Sequence, residues 1–270
     1  MKIGTKGAVF SDGDGTLHRS HLVVHWMREA VETKQLLPET LRDVDIAEDA
    51  LDRREGTFHD FGRHVIDIQT KGRLEGMSAF HSEAIGRAVV ERYGNHVNTF
   101  PRELCRAAND SGLDTFLISG SPMHVVRPFG DVHGIRDVLA TTFHVEAGLF
   151  TGTIELDWIR DEGKKRAVHL LAEKYDLDLK QSVAIGDTEG DISMLTEVGY
   201  PICYNPSRGL RAEAEKRHWP IVAERKDSCY ILVWSGWSQR YQLQETPKPI
   251  IPDELQTAFN ARYHAAYPTP

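Results

Sequence analysis

Apolar residues follow two rhythms along this chain. Short unbroken apolar runs, which suit buried strands, end on acidic or hydroxyl-rich turns. Longer stretches carry an apolar residue every three or four positions, which suits helices. The first run, Gly7–Ser11 (GAVFS), ends in Asp12-Gly13-Asp14-Gly15-Thr16. The next comparable strand is Thr115–Ile118 (TFLI), about a hundred residues later. That gap is too long for one α/β unit, so the pattern predicts an insertion.

The inserted stretch has helical spacing. Leu22, Val23, Trp26, Met27, Ala30 and Val31 follow Ser20, a residue suited to capping. Pro38 suits the first turn of a second helix, which carries Leu41, Val44, Ile46 and Leu51. Phe58, Phe61, Val65 and Ile68 predict a third helix. Met77, Phe80, Ala84, Ile85 and Val89 predict a fourth, ending near Gly94. Four amphipathic helices are enough for a small bundle with its own core.

Beyond Pro101 the order changes. A helix (Pro101–Ser111) leads into the strand at 115–118, and a further helix follows Pro122. Phe143–Leu156 alternates around glycines and predicts a hairpin. A helix over Lys164–Lys174, a strand over Ser182–Ile185, a helix through Met194 and Leu195 and a strand over Tyr200–Tyr204 follow. Such alternation predicts an α/β fold: a Rossmann-like parallel sheet covered on both faces. The expected division is a discontinuous α/β core (1–17 and 101–240), a helical insert (18–100) and a tail (241–270). Several prolines and little periodicity make the tail read as an extended segment packed on the domain, or as disorder.

Composition narrows the class of partner. The 270 residues carry a formal net charge of -8 and no basic run, which argues against nucleic acid. The three cysteines, Cys105, Cys203 and Cys229, have neither zinc spacing nor a disulfide pattern, so a reducing cytoplasm is expected. The N-terminus MKIGTKGAVF lacks the apolar stretch of a signal peptide, and no apolar run is long enough to span a membrane. The sequence does not set the oligomeric state.

Four short segments carry candidate chemistry. Asp12 and Asp14 sit beyond the carboxyl end of the first strand, where open parallel sheets bind ligands. Two close carboxylates raise one another's pKa, and a divalent cation relieves that repulsion. One carboxylate can then attack phosphorus while the other moves a proton. A calcium loop fails on detail: its sixth and twelfth positions need glycine and glutamate but hold Leu17 and Val23. Ser119-Gly120-Ser121-Pro122 also ends a strand; a hydroxyl and the next backbone N–H there suit phosphoryl oxygens, and Ser119 equally suits a helix cap. Gly163-Lys164-Lys165 opens a helix. Lys164 can neutralise both nucleophile and phosphate, with Lys165 as a rival. A cation there opposes the helix dipole, so a compensating anion is expected. In Gly186-Asp187-Thr188-Glu189-Gly190-Asp191, Asp187 can complete a magnesium ligand set with Asp12, and Asp191 can orient Lys164 or a metal-bound water.

Taken together, these segments resemble the haloacid dehalogenase (HAD) superfamily, in its phosphoserine phosphatase-like branch. The likeness runs from about Lys6 to about Lys226. It implies a HAD fold whose four-helix insert is a cap, and a small phosphorylated metabolite as substrate. It implies Asp12 as nucleophile and Asp14 as general acid and base, with Thr16 and Asp191 in support. Ser119 and the Gly120 amide would bind phosphate, and Lys164 would stabilise charge. Mg2+ would be held by Asp12, the Asp14 carbonyl and Asp187. Phosphotransfer to a small alcohol would use the same intermediate, and a phospho-ligand binding role is the non-enzymatic alternative. Gly13 stands where the family usually has an aromatic residue and is expected to point away from the site. His21 stands where phosphoserine phosphatases carry a substrate-binding glutamate, so phosphoserine is not the expected substrate. By position alone, His18, Arg19, His21, His25, Arg63, Trp158 and Arg160 are the specificity candidates.

Overall fold

β1 (Ala8–Asp12) is buried along its whole length and organises the sheet. It pairs in parallel with β2 (Asp114–Pro122) on one side and β5 (Val183–Gly186) on the other. β3 (Asp137–Glu146) extends the β2 side and turns back as β4 (Leu149–Leu156), completing the expected hairpin. β6 (Tyr200–Tyr204) and β7 (Ile221–Arg225) continue the β5 side in parallel. β8 (Ser228–Ser235) and β9 (Arg240–Leu243) then close that edge as antiparallel strands. The order is β4-β3-β2-β1-β5-β6-β7-β8-β9. This computed structural model describes residues 6–53, 55–69, 73–158, 162–226, 228–244 and 251–266.

Alternation along the strands divides the core in two. Val9, Leu117, Val183 and Ile185 face one side of the sheet. There they meet α5 (Thr99–Asp110) and α6 (Met123–Val132) through Leu104, Val125 and Phe129. Ala8, Phe10, Phe116 and Ile118 face the other side. They meet α7 (Gly163–Tyr175), α8 (Ile192–Leu195) and α9 (Arg208–Arg217) through Val168, Leu171, Met194 and Leu210. The chain leaves β1 toward β2 and returns on the far side as β5, so the loops after β1 and β5 flank one crevice.

The insertion forms α1 (Leu22–Glu32), α2 (Glu39–Asp52), α3 (Phe58–Ile68) and α4 (Ala79–Tyr93). The sequence pattern suits a bundle with its own core, but its apolar residues run without a break into one face of the sheet. Trp26, Val65 and Val89 belong to the same cluster as Val125 and Phe129. Gly86 makes this possible: a Cβ there would lie 1.9 Å from the His124 carbonyl oxygen, so α4 can lie against α6 only because the side chain is absent.

Over its described part the tail is packed on the domain, first as the end of β9 and then as a helix that the sequence pattern did not predict. α10 (Asp253–Ala266) packs on α5, with Ile251, Leu255 and Phe259 buried and the Phe259 ring 5.0 Å from that of Phe100. Asp253 and Glu254 occupy its first turn, where acids favour the helix dipole. No helix among the described residues is long and apolar enough to cross a membrane.

Candidate active site

The loops after β1, β2 and β5 and the start of α7 converge on one point. Lys164, the second residue of α7, is buried, and its Nζ lies 2.5 Å from Asp12 Oδ1 and 2.5 Å from Asp191 Oδ1. These are the anions that a cation at a helix N-terminus requires. Lys165 points elsewhere, forming a partly exposed pair with Glu197 at 2.9 Å. Burial alone would lower the Lys164 pKa, but the two carboxylates outweigh it and hold the ammonium charged.

Asp191 is fully committed. Its Oδ2 accepts from the amides of Asp187 and Thr188 and from the Thr188 hydroxyl, at 3.1, 2.9 and 3.1 Å. It therefore positions Lys164 and fixes the turn after β5.

Asp12, Asp187 and Asp191 bring carboxylate oxygens within 4.8 Å of one another. Burial pushes the Asp12 carboxyl up to about 7, with Asp191 and Asp14 pushing the same way and Lys164 opposing. Burial, then Asp12 and Asp191, raise Asp187 well above the carboxylate range. Thr16 donates to Asp187 Oδ1 at 2.9 Å. Gly15 lies under the same carboxylate with φ +84°, and a Cβ there would fall 2.3 Å from Asp187 Oδ2. Gly15→Ala is therefore expected to lose on the order of 1–2 kcal/mol from the left-handed backbone alone. Denaturant unfolding checks this, and unchanged stability would show that the turn rearranges freely.

Asp14 faces the mouth of the site. Its Oδ1 accepts from the Leu22 amide at 2.7 Å, and its Oδ2 accepts from the Ser121 hydroxyl. It thereby caps α1, whose own preceding residue, His21, supplies no side-chain cap. Ser121 carried no assigned role in the sequence, although it lies in the segment singled out there.

Ser119 is buried and its Oγ accepts from the Ser121 amide at 3.0 Å. The β2–β3 register breaks between Ser119 and Pro122, which releases Gly120 and Ser121 from regular pairing. The Gly120 carbonyl instead accepts from Thr141 Oγ1 at 2.7 Å. A Cβ at Gly13 would lie 3.0 Å from Ser119 Oγ and 4.0 Å from Leu117 Cδ1, and Gly13 is not among the residues that line the crevice.

Of the specificity candidates, His21 lines the crevice, its ring 4.7 Å from that of Phe61. His18 is buried, with ring nitrogens against the Ser20 and Tyr93 carbonyls at 2.9 and 3.1 Å. Arg19 is held by the Val97 carbonyl at 2.8 Å. His25 stacks on Tyr93, and burial lowers its pKa to about 4. Trp158 is a core residue whose Nε1 donates to the Ala140 carbonyl at 3.0 Å. Arg63 is exposed and does not line the crevice, and Arg160 lies outside the described residues. The sequence reading missed that Phe61, Val65, Ile66 and Gln69 of α3 and the turn after it form the opposite wall. Phe61 and Val65 carried only a helix signal, which looks the same for a core and for a cavity wall.

A strand-end aspartate pair, a buried lysine and an acidic loop at one switch point define a class, and the comparisons agree with it. Residues 9–196 match the family model of haloacid dehalogenase-like hydrolases, and the chain belongs to that family. A relative named phosphoserine phosphatase SerB1, from Mycobacterium tuberculosis, is 27% identical over 226 residues, covering 81% of this chain and 71% of that protein. A histidinol-phosphatase of Neisseria meningitidis is 24% identical over 193 residues, covering 66% and 85%. Among solved structures, a Bordetella pertussis protein of unknown function has a TM-score of 0.66 at 23% identity, covering 80% of this chain and 98% of that one. A phosphoserine phosphatase solved as a phospho-aspartyl intermediate analogue has a TM-score of 0.56 at 18% identity, covering 82% and 94%.

Proposed function

We propose that this chain is a Mg2+-dependent phosphatase that hydrolyses a small phosphomonoester through an aspartyl-phosphate on Asp12. The observation that carries the reading is the shared ammonium: Lys164 bridges Asp12 and Asp191, both buried, in an oxygen cluster completed by the partly exposed Asp187.

The donor set fits a hard divalent cation. Asp191 has its oxygens taken by Lys164 and three donors, which leaves Asp12 and Asp187. Each of these has one carboxylate oxygen engaged, by Lys164 and by Thr16 respectively. Their other oxygens, and the Asp14 carbonyl, accept no hydrogen bond among the described residues. Few protein oxygens with water and phosphate completing the shell is the magnesium pattern. When bound, the ion supplies charge neutralisation at the phosphoryl oxygens and holds the carboxylates ionised.

The chain's own residues supply the rest. A carboxylate oxygen of Asp12 forms a bond to phosphorus as the bond to the leaving oxygen breaks. Asp14 gives that oxygen a proton, so an alcohol departs. Water then attacks phosphorus, Asp14 takes the proton back, and the Asp12–phosphorus bond breaks to release phosphate. Ser119, the Gly120 amide and Lys164 hold the phosphoryl oxygens throughout.

The test is metal removal. Chelation is expected to abolish turnover of p-nitrophenyl phosphate, and Mg2+ to restore it. Mg2+ is also expected to raise the Tm by mass action, an effect lost in Asp187→Asn. Its apparent affinity should increase as pH rises through about 7, because metal and protons compete for the same carboxyls. Full activity in chelator, with no Tm response to Mg2+, would refute the metal role.

A further inference from the structure

The crevice has two unlike halves. One holds Asp12, Asp14 and Lys164, which are the only charged side chains among the described residues lining it. All three belong to the phosphoryl chemistry already described. The other half is walled by Val23, Phe61, Val65, Ile66, His21 and Gln69. Phe61, Val65 and Ile66 are almost wholly buried, and Val23 nearly so. The leaving group of a phosphomonoester must occupy this second half.

Gln69 is the distinctive polar group there. It is 0% exposed, and its Oε1 is buried with no hydrogen-bond partner among the described residues. Its Nε2 lies 3.4 Å from the Val65 carbonyl, which orients the amide with oxygen left over. A buried acceptor without a donor is costly, and the cost is removed when a ligand brings the donor. Size also bounds the occupant. The accessible cavity is about 70 Å³, shared between both halves.

Resting on the phosphatase reading, we propose that the leaving alcohol is short, uncharged and largely apolar, and that it carries one hydroxyl or N–H that donates to Gln69 Oε1. An α-amino acid does not fit. Its ammonium and carboxylate would both leave water for a wall that carries no acidic or basic side chain except the His21 imidazole among the described residues, and unpaired buried charge is heavily penalised. Phosphoserine is excluded by charge, since it is small enough. A plain alkyl ester fits the apolar wall but leaves Gln69 unanswered. A long-chain lipid exceeds the cavity.

The experiment is a steady-state comparison of phosphate release with Mg2+ present. Substrates are O-phosphoserine, phosphoethanolamine, a short series of alkyl phosphates and the matching ω-hydroxyalkyl phosphates, with p-nitrophenyl phosphate as the general reporter. The best ω-hydroxyalkyl ester is expected to exceed O-phosphoserine and phosphoethanolamine in kcat/KM by at least about a hundredfold. It should exceed its alkyl counterpart by about tenfold. In Gln69→Leu the alkyl and ω-hydroxyalkyl esters should become equal, through a rise in KM for the hydroxylated one, while the alkyl esters are still hydrolysed. O-phosphoserine equal to or better than the neutral esters would overturn the inference and leave the phosphatase intact. So would an unchanged hydroxyl preference in Gln69→Leu. No turnover of any ester, p-nitrophenyl phosphate included, would overturn both.

Discussion

Asp12→Asn should lower kcat for p-nitrophenyl phosphate by at least on the order of 10^4-fold while the chain remains folded. The substitution keeps shape and removes the nucleophile, since an amide oxygen does not form the phosphoenzyme. A role limited to binding would give a different result: KM would rise and kcat would survive. Stability supplies an independent check. Burial raises the Asp12 carboxyl to about 7. A raised acid pKa means the folded state holds a proton that the unfolded state has already lost. Metal-free wild type therefore loses stability as pH rises from the ordinary carboxyl range through about 7. Asp12→Asn lacks that loss, so its Tm should overtake that of wild type across this window in chelator. Retained kcat, or a Tm gap that narrows with rising pH, would count against Asp12 as a buried, metal-paired nucleophile.

The sequence shows the acidic loops clearly because short loops at strand ends have little freedom. Once β1 and β5 are recognised as neighbouring strands, Asp12 and Asp187 have to meet at the switch point. The choice between Lys164 and Lys165 is less legible. Consecutive helix residues point about 100° apart, and only the packing of α7 decides which enters the site. Here Lys165 is drawn outward to Glu197. The wall opposite the chemistry was hidden for another reason. Phe61 and Val65 repeat at helical spacing whether they fill a core or line a cavity, and Gln69 has no local signal at all. Gly86 also reads as a weak point within a helix, yet it lets the insert lie against α6. The helix in the tail was hidden because prolines 247, 249 and 252 precede it and few of its residues are apolar and buried, Leu255 and Phe259 among them.

Lys164→Met should cost about 3–5 kcal/mol of stability, measured by denaturant unfolding in chelator. The side chains concerned are almost inaccessible, with relative exposures of 8% for Lys164, 8% for Asp12 and 0% for Asp191. Methionine preserves the apolar stem and removes the cation that both carboxylates face. The penalty is then that of two close buried carboxylates without a countercharge, and it exceeds the net worth of the original pair. Turnover should fall by about 10^2–10^3-fold, because the same ammonium stabilises charge on the transferring phosphoryl group. The two effects can be separated. Adding Asp12→Asn removes one of the orphaned charges, so the double variant should regain part of the stability and none of the activity. Lys165→Met, one residue away, should leave turnover unchanged and cost no more than about 1 kcal/mol, since its ammonium is partly exposed and Glu197 keeps His169 as a partner. If the double variant is less stable than Lys164→Met alone, the ammonium is not neutralising Asp12. The site would then need a different source of charge balance.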